Sequence, residues 1–251
     1  MSSFAIKLLA IISMIIDHAG AVFALHIGFR IVGRIAFPLF VFLIAEGCRH
    51  TKSMEKYMLR LGIFALVSEI PFDLAFNQIY ARPLHIDFLN NTNIFYTLWL
   101  GVFCVYCFQQ IRGICSVRER GHMSALARIR TYSLWLLLPA IVFAAMSAAD
   151  WLGADYGGVG VLFIFFTALM GKYRYIQLAI IALFMFALYF PAVSVTGFAT
   201  VPLLMLLASL IAVIVVAFNN GKRGPAVKWM FYWIYPGHLL LFAALRLLIF
   251  M

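Results

Sequence analysis

The sequence predicts an all-α fold, a polytopic transmembrane helical bundle of about nine spans that forms a single integral membrane domain over residues 1–251. Three observations predict it. Hydrophobic residues make up 65% of the chain and charged residues 11%, which leaves too little polar surface to coat a soluble domain. Apolar runs of roughly 20 residues recur along the chain, the length that crosses about 30 Å of hydrocarbon as a helix. Charge is also sorted between alternate connections. The net charge of +10 would suit a nucleic-acid binder in a soluble chain, but here it is the Lys and Arg excess of cytoplasmic loops, and no nucleic-acid partner is expected.

Taken in order, the first span covers about 4–25 and carries Asp17 and His18 two-thirds of the way along. That polar pair, and the spans that follow, argue against a cleaved secretory leader. The second span, 34–48, opens at Arg34 in GRIAFPLF, and the third, 58–76, contains SEIPFDL. There Pro71 stands between Glu69 and Asp73, an i, i+4 pair on one face. The fourth, 92–111, begins at Asn93; 132–149, 157–171, 174–190 and 196–218 follow, and 229–250 closes the chain around YPGH. Ahead of span six, DYGGVG has spacing suited to close helix packing.

Loops 49–60, 111–131, 172–174 and 222–228 carry +3, +4, +2 and +3, whereas 26–34, 77–91, 150–156 and 190–198 sum to zero. This asymmetry predicts a cytoplasmic N-terminus and an outer C-terminus. Cys48, Cys104, Cys107 and Cys115 then lie towards the reducing side. The CVYC pair at 104–107 lies in an apolar helix without further ligands, so packing is expected and no metal.

An ionised side chain at mid-membrane costs roughly 2.5–3.5 kcal/mol on insertion scales, so each needs a partner, a wet cavity or a function. In this topology Asp17 and His18 fall in the outer half of span one, and Arg34 enters span two from that side. Glu69, Asp73, Asn93, Asp155 and Tyr156 lie at the same level, and His238 lies near the midplane of span nine. Convergence in one leaflet marks a site. Plainer uses also exist: His18 as a packed imidazole, Asp17 as a partner of Arg30 or Arg34, Tyr156 as an interfacial anchor. Adjacent helical residues point about 100° apart, so one of Asp17 and His18 faces the site while the other braces a neighbouring helix. Pro38, Pro71 and Pro236 each remove a helical hydrogen bond nearby, a break tolerated where helices line a cavity.

IKLLAIISMIIDHAG, GRIAFPLFVFLIAEG, SEIPFDL, NIFYTLWLG, DYGGVGVL and YPGHLLLF, in this order, resemble the TraX family, associated with acetylation of the pilin amino terminus in conjugation. A more distant similarity reaches transmembrane acyltransferases with a membrane-embedded histidine. The resemblance implies a bacterial, inner-membrane, acetyl-CoA-dependent acetyltransferase acting on an outer amine or hydroxyl, on a pilin-like peptide or a surface glycan. His18 would be the general base, or a transient acetyl carrier. Asp17 would fix its tautomer, and Arg34 or Asn93 would stabilise the oxyanion. Glu69, Asp73, Asp155, Tyr156 and His238 would contact the acceptor. Donor phosphates would fall to Arg112, Lys172, Arg174, Lys222, Arg223 or Lys228, with Arg118, Arg120, Arg128 and Arg130 nearby, although the same cations serve the positive-inside bias. Two rival readings stand beside this one: a proton-coupled transporter or channel, which Asp, Glu, His and broken helices also suit, and a non-catalytic scaffold of a secretion or conjugation apparatus.

Overall fold

A computed structural model describes residues 1–76, 86–119, 124–196, 200–225 and 228–250. Among them the chain is helical and carries no strand: α1 Ser3–Val22, α2 Gly28–Gly33, α3 Ala36–His50, α4 Met54–Phe76, α5 Ile94–Glu119, α6 Ala125–Tyr132, α7 Leu137–Trp151, α8 Gly157–Leu169, α9 Arg174–Thr196, α10 Val201–Ala217 and α11 Lys228–Phe250. A 3-10 turn at Ser133–Leu136 leads into α7. Six segments are long and apolar enough to cross a membrane, and α8 and α10 are shorter apolar helices. The chain is a multi-pass membrane protein. Each of the nine expected spans corresponds to a helix, the long helix α4 being set apart by Arg60, Glu69 and Asp73 within its apolar stretch.

Local chemistry explains the boundaries, including those that differ from expectation. Ser2 caps α1, its hydroxyl accepting from the Ala5 N–H at 3.2 Å. The connection expected at 26–34 is largely the short helix α2. Helix resumes at Ala36, which puts Pro38 in the first turn of α3, where its missing N–H leaves no bond broken. Pro71, Pro191 and Pro236 lie inside α4, α9 and α11. Span seven therefore runs past the expected stop at 190, since apolar residues continue on both sides of Pro191. Helix α5 likewise extends through Arg112 to Glu119. Most of the 77–91 connection, including Arg82, lies outside the described residues.

The core is centred on α3, where Leu39, Val41 and Phe42 are fully buried and which packs against α1, α8 and α10. Helix α8 also packs closely on α5. A Cβ at Gly101 would approach the Ile164 side chain to 2.8 Å, so glycine sets that helix–helix distance. Phe163 on α8 stacks on Phe184 of α9, with ring centroids 4.8 Å apart.

The two ends of the bundle differ. At one, the chain start meets the α10–α11 connection: Ser3 N–H donates to Lys222 O (2.9 Å), Phe4 N–H to Arg223 O (3.1 Å) and Asn220 N–H to Met1 O (2.9 Å). Arg223 donates to His50 O at 3.2 Å, and Arg49 to Gly171 O at 2.6 Å. Three of the basic connections, 49–60, 172–174 and 222–228, thus share this end. At the other, Thr92 N–H donates to Leu152 O (3.3 Å) and Asp155 N–H to Thr92 O (3.2 Å), while the Thr97 hydroxyl donates to Asp155 O.

Candidate active site

Asp17 and His18 lie a little over one turn before the end of α1, and being adjacent they face different neighbours. Asp17 faces α2. Arg30 Nη1 donates to its Oδ2 at 2.8 Å and Arg34 Nη2 grips Oδ1, while Arg34 Nε donates to Arg30 O at 3.0 Å. Gly33 makes the approach achievable, since any Cβ there would overlap the Asp17 side chain. Two cations on one carboxylate satisfy a buried acid and pin α2 to α1. The expected roles shift accordingly: Asp17 braces α2 and does not hold the His18 ring, and the Arg34 guanidinium is engaged by Asp17.

His18 faces α4 and α11. Its Nδ1 lies 2.7 Å from His238 Nε2, and His238 Nδ1 lies 2.7 Å from the carbonyl oxygen of Ile234. A carbonyl only accepts, so His238 Nδ1 carries a proton. With both rings neutral, His238 Nε2 is then an acceptor, His18 Nδ1 is the donor, and a lone pair is left on His18 Nε2. Sequence reasoning singled out both histidines but not this contact across 220 positions of chain. The rings stack with centroids 5.0 Å apart, and Phe76 and Tyr235 stand edge-on to His18 at 5.4 and 5.8 Å. Phe242 covers His238 at 5.6 Å.

Glu69, fully buried on α4, is tied to the start of α5. Its Oε2 accepts from the Asn93 N–H at 3.2 Å and from the Asn93 amide. Asn93 also donates to Ala65 O at 2.8 Å and accepts from the Phe95 N–H at 2.9 Å. Asn93 therefore joins α4 to α5, and its amide protons are both spent. Asp73 accepts from the Asp87 N–H at 2.7 Å. Tyr156 takes a left-handed backbone, φ 65°, and its ring stacks on Phe37 with centroids 3.5 Å apart, so it packs against α3. Asp155 is exposed to water yet crowded by protein. That desolvation pushes its carboxyl up to about 6, against the lowering pull of Arg34.

Four buried polar atoms in this half of the bundle have no hydrogen-bond partner among the described residues: Ser68 Oγ, Glu69 Oε1, Thr92 Oγ1 and Tyr235 Oη. Buried polar groups are normally satisfied, so a cluster of orphans calls for water or a ligand. Tyr235 stands nearest the chemistry, 5.8 Å from His18 and 5.7 Å from His238 by ring centroids. A tyrosine among aromatics reads in the sequence as an ordinary membrane residue, which is why it escaped notice there.

Of the cations expected to hold a donor, Arg174 binds the end of α10 through Val216 O and Asn219 O, and Arg223 binds His50 O. Lys172 lies over the Tyr173 ring at 5.9 Å. Lys222 is exposed at the N-terminal end, and Arg112 is exposed on α5. Arg128 borders a shallow cavity with Tyr132 and Leu136. The side chains of Lys228, Arg118, Arg120 and Arg130 lie outside the described residues.

Comparison with known proteins adds a family and a relative. The family model described as "TraX protein" matches residues 2–246. A protein of Dichelobacter nodosus called "Probable fimbrial assembly protein FimC, serogroup H1" is 27% identical over 266 residues, covering 98% of this chain and 96% of its own. No solved structure matches.

Proposed function

The chain belongs to the TraX family, and from that membership and the His18–His238 pair we propose that it is a membrane-embedded acetyltransferase. It moves an acetyl group from cytoplasmic acetyl-CoA to an amine or hydroxyl acceptor beyond the membrane. The carrying observation is the line from Ile234 O through His238 to His18, which aims a basic nitrogen away from its support. The basic end, with the N-terminus, faces the cytoplasm of the bacterial inner membrane, as the positive-inside bias requires. The name of the Dichelobacter relative points to fimbriae, so the acceptor is the amino terminus of a pilin-like peptide or a glycan exported with such a structure.

In this reading His18 Nε2 takes the proton from the acceptor nitrogen or oxygen as that atom attacks the thioester carbonyl. The C–S bond then breaks, and the departing thiolate receives the proton from the imidazolium. General base catalysis of this kind contributes roughly 10²–10⁴-fold. His238 accepts the His18 Nδ1 proton and so holds the tautomer, the task expected of Asp17. Oxyanion stabilisation falls to Tyr235, whose O–H proton is committed to no acceptor among the described residues, because the Arg34 and Asn93 donors are engaged elsewhere. Glu69, Asp73 and Asp155 border the acceptor's side.

The test is the thermal stability of purified protein during an acetyl-CoA titration, with ATP as the phosphate control. Acetyl-CoA at 100 times its dissociation constant stabilises by about 2.7 kcal/mol. Saturable stabilisation by acetyl-CoA and not ATP, retained in His18→Ala, is expected. No shift in a folded protein moves the assignment to transport or scaffolding.

A further inference from the structure

At the basic end, α11 is flanked by cations on both sides. Lys7 of α1 lies over the Phe231 ring at 5.1 Å, and Arg223 is close enough to repel its charge. On the other flank Arg60 of α4 lies 5.8 Å from the Tyr57 ring and reaches the Tyr232 hydroxyl. Its Nε is nevertheless buried without a partner. No ion pair links Lys7, Arg60 or Arg223 to a carboxylate among the described residues; Glu46 is spent on Arg49 and His50. Cations held together at a membrane boundary without acids call for an anion from outside the chain.

A row of side chains along the α4–α11 contact runs from these cations towards the imidazoles. Arg60, Phe64, Ser68, Phe72 and Phe76 recur at four-residue steps, so each neighbours the next along a ridge that winds around α4 from the cations towards His18. Phe64 meets Tyr232 and Trp233 of α11 at 4.9 and 5.1 Å, and Phe76 meets His18. Ser68, fully buried, presents its unpartnered Oγ midway. From Lys7 to His18 is eleven residues, roughly 16 Å along α1. The arm of coenzyme A, about fourteen bonds from phosphorus to the acyl carbon, extends to roughly the same length at about 3.4 Å per three bonds.

We propose that Arg60 on one flank of α11, and Lys7 with Arg223 on the other, form the phosphate-binding site of the donor, whose arm follows the α4–α11 seam to His18. This rests on the acetyltransferase reading and names residues outside most of the expected set. Coenzyme A carries anions in two places, a diphosphate at the head of the arm and a phosphate on the ribose, matching two separated groups of cations. An anionic lipid headgroup offers the same phosphate chemistry, and the test separates the two sources.

The full chain is placed in nanodiscs of neutral lipid, and again with anionic phosphatidylglycerol, and its affinity for coenzyme A and 3′-dephospho-coenzyme A is measured by calorimetry. Arg60→Gln and Lys7→Gln are each expected to weaken coenzyme A binding about tenfold or more in neutral discs, with Lys52→Gln, at an exposed site, unchanged. One of the two variants is expected to lose the preference for coenzyme A over the dephospho form. Arg60→Lys keeps a charge and should recover part of the affinity, which separates charge loss from misfolding. Unchanged affinity in folded Arg60→Gln and Lys7→Gln would overturn this site while leaving the acetyltransferase reading intact. The same conclusion follows if the variants lose only the response to phosphatidylglycerol, since the cations then hold lipid. If the wild-type protein binds no coenzyme A in either disc, the acetyltransferase reading itself fails.

Discussion

Asp17 and His18 are neighbours with opposite duties. Asp17 is buried and shared by Arg30 and Arg34, so removing its charge strands two cations. Breaking a buried pair in this way costs about 3–5 kcal/mol. Asp17→Asn should therefore lower the melting temperature far more than Arg30→Gln, which removes the more exposed partner and leaves Arg34 in place. Equal melting temperatures for the two variants would refute the clamp. Asp155 makes a prediction with pH. Its carboxyl is raised to about 6, above the unfolded value near 3.9, so its stabilising protonation is present at low pH and lost as pH rises through about 6. Asp155→Asn should raise the melting temperature at pH 7.5 and change it little at pH 4.5, because the amide mimics the protonated acid. A gain confined to the lower pH would contradict this.

At the scale of helices, glycine sets how closely α5 meets α8. At Gly101 an added Cβ already crowds Ile164. Gly101→Leu must displace one helix, and overpacking of this kind typically costs about 1–3 kcal/mol. A lower melting temperature is expected, recovered in part by Ile164→Ala, and no recovery would show that the two helices do not meet there. Helix existence was legible in the sequence and helix ends were less so. Apolar runs of full membrane length marked α1, α5 and α11, since hydropathy is a local property. Pro191 reads locally as a stop, but in a helix flanked on both sides by apolar sequence, neighbouring packing carries the chain through it. The short α2 was not legible, because its position depends on Asp17 reaching back to Arg30 and Arg34 from another helix.

For the whole molecule, the proposed topology places the N-terminus, Lys172 and Lys222 on the cytoplasmic side and the 86–93 and 150–156 segments outside. Single cysteines introduced at Asp87 or Leu152, in a chain freed of its own four, should react in intact cells with a membrane-impermeant maleimide, and cysteines at Lys172 or Lys222 only after lysis. The reverse pattern would invert the protein and remove the acetyl-CoA proposal with it. Fold class, the approximate spans and the gathering of Asp17, His18, Glu69, Asn93 and Asp155 in one half were determined by the sequence alone. All three depend on hydropathy, helical rise and loop charge, which can be counted along one chain. Only the tertiary structure decided that His238 rather than Asp17 supports the His18 ring, that Tyr235 and Ser68 are left with unpartnered hydroxyls, and that Arg60 and Lys7 flank α11. Those facts are contacts between helices far apart in the chain, and their geometry is set by which faces pack together, a relation that no local pattern encodes.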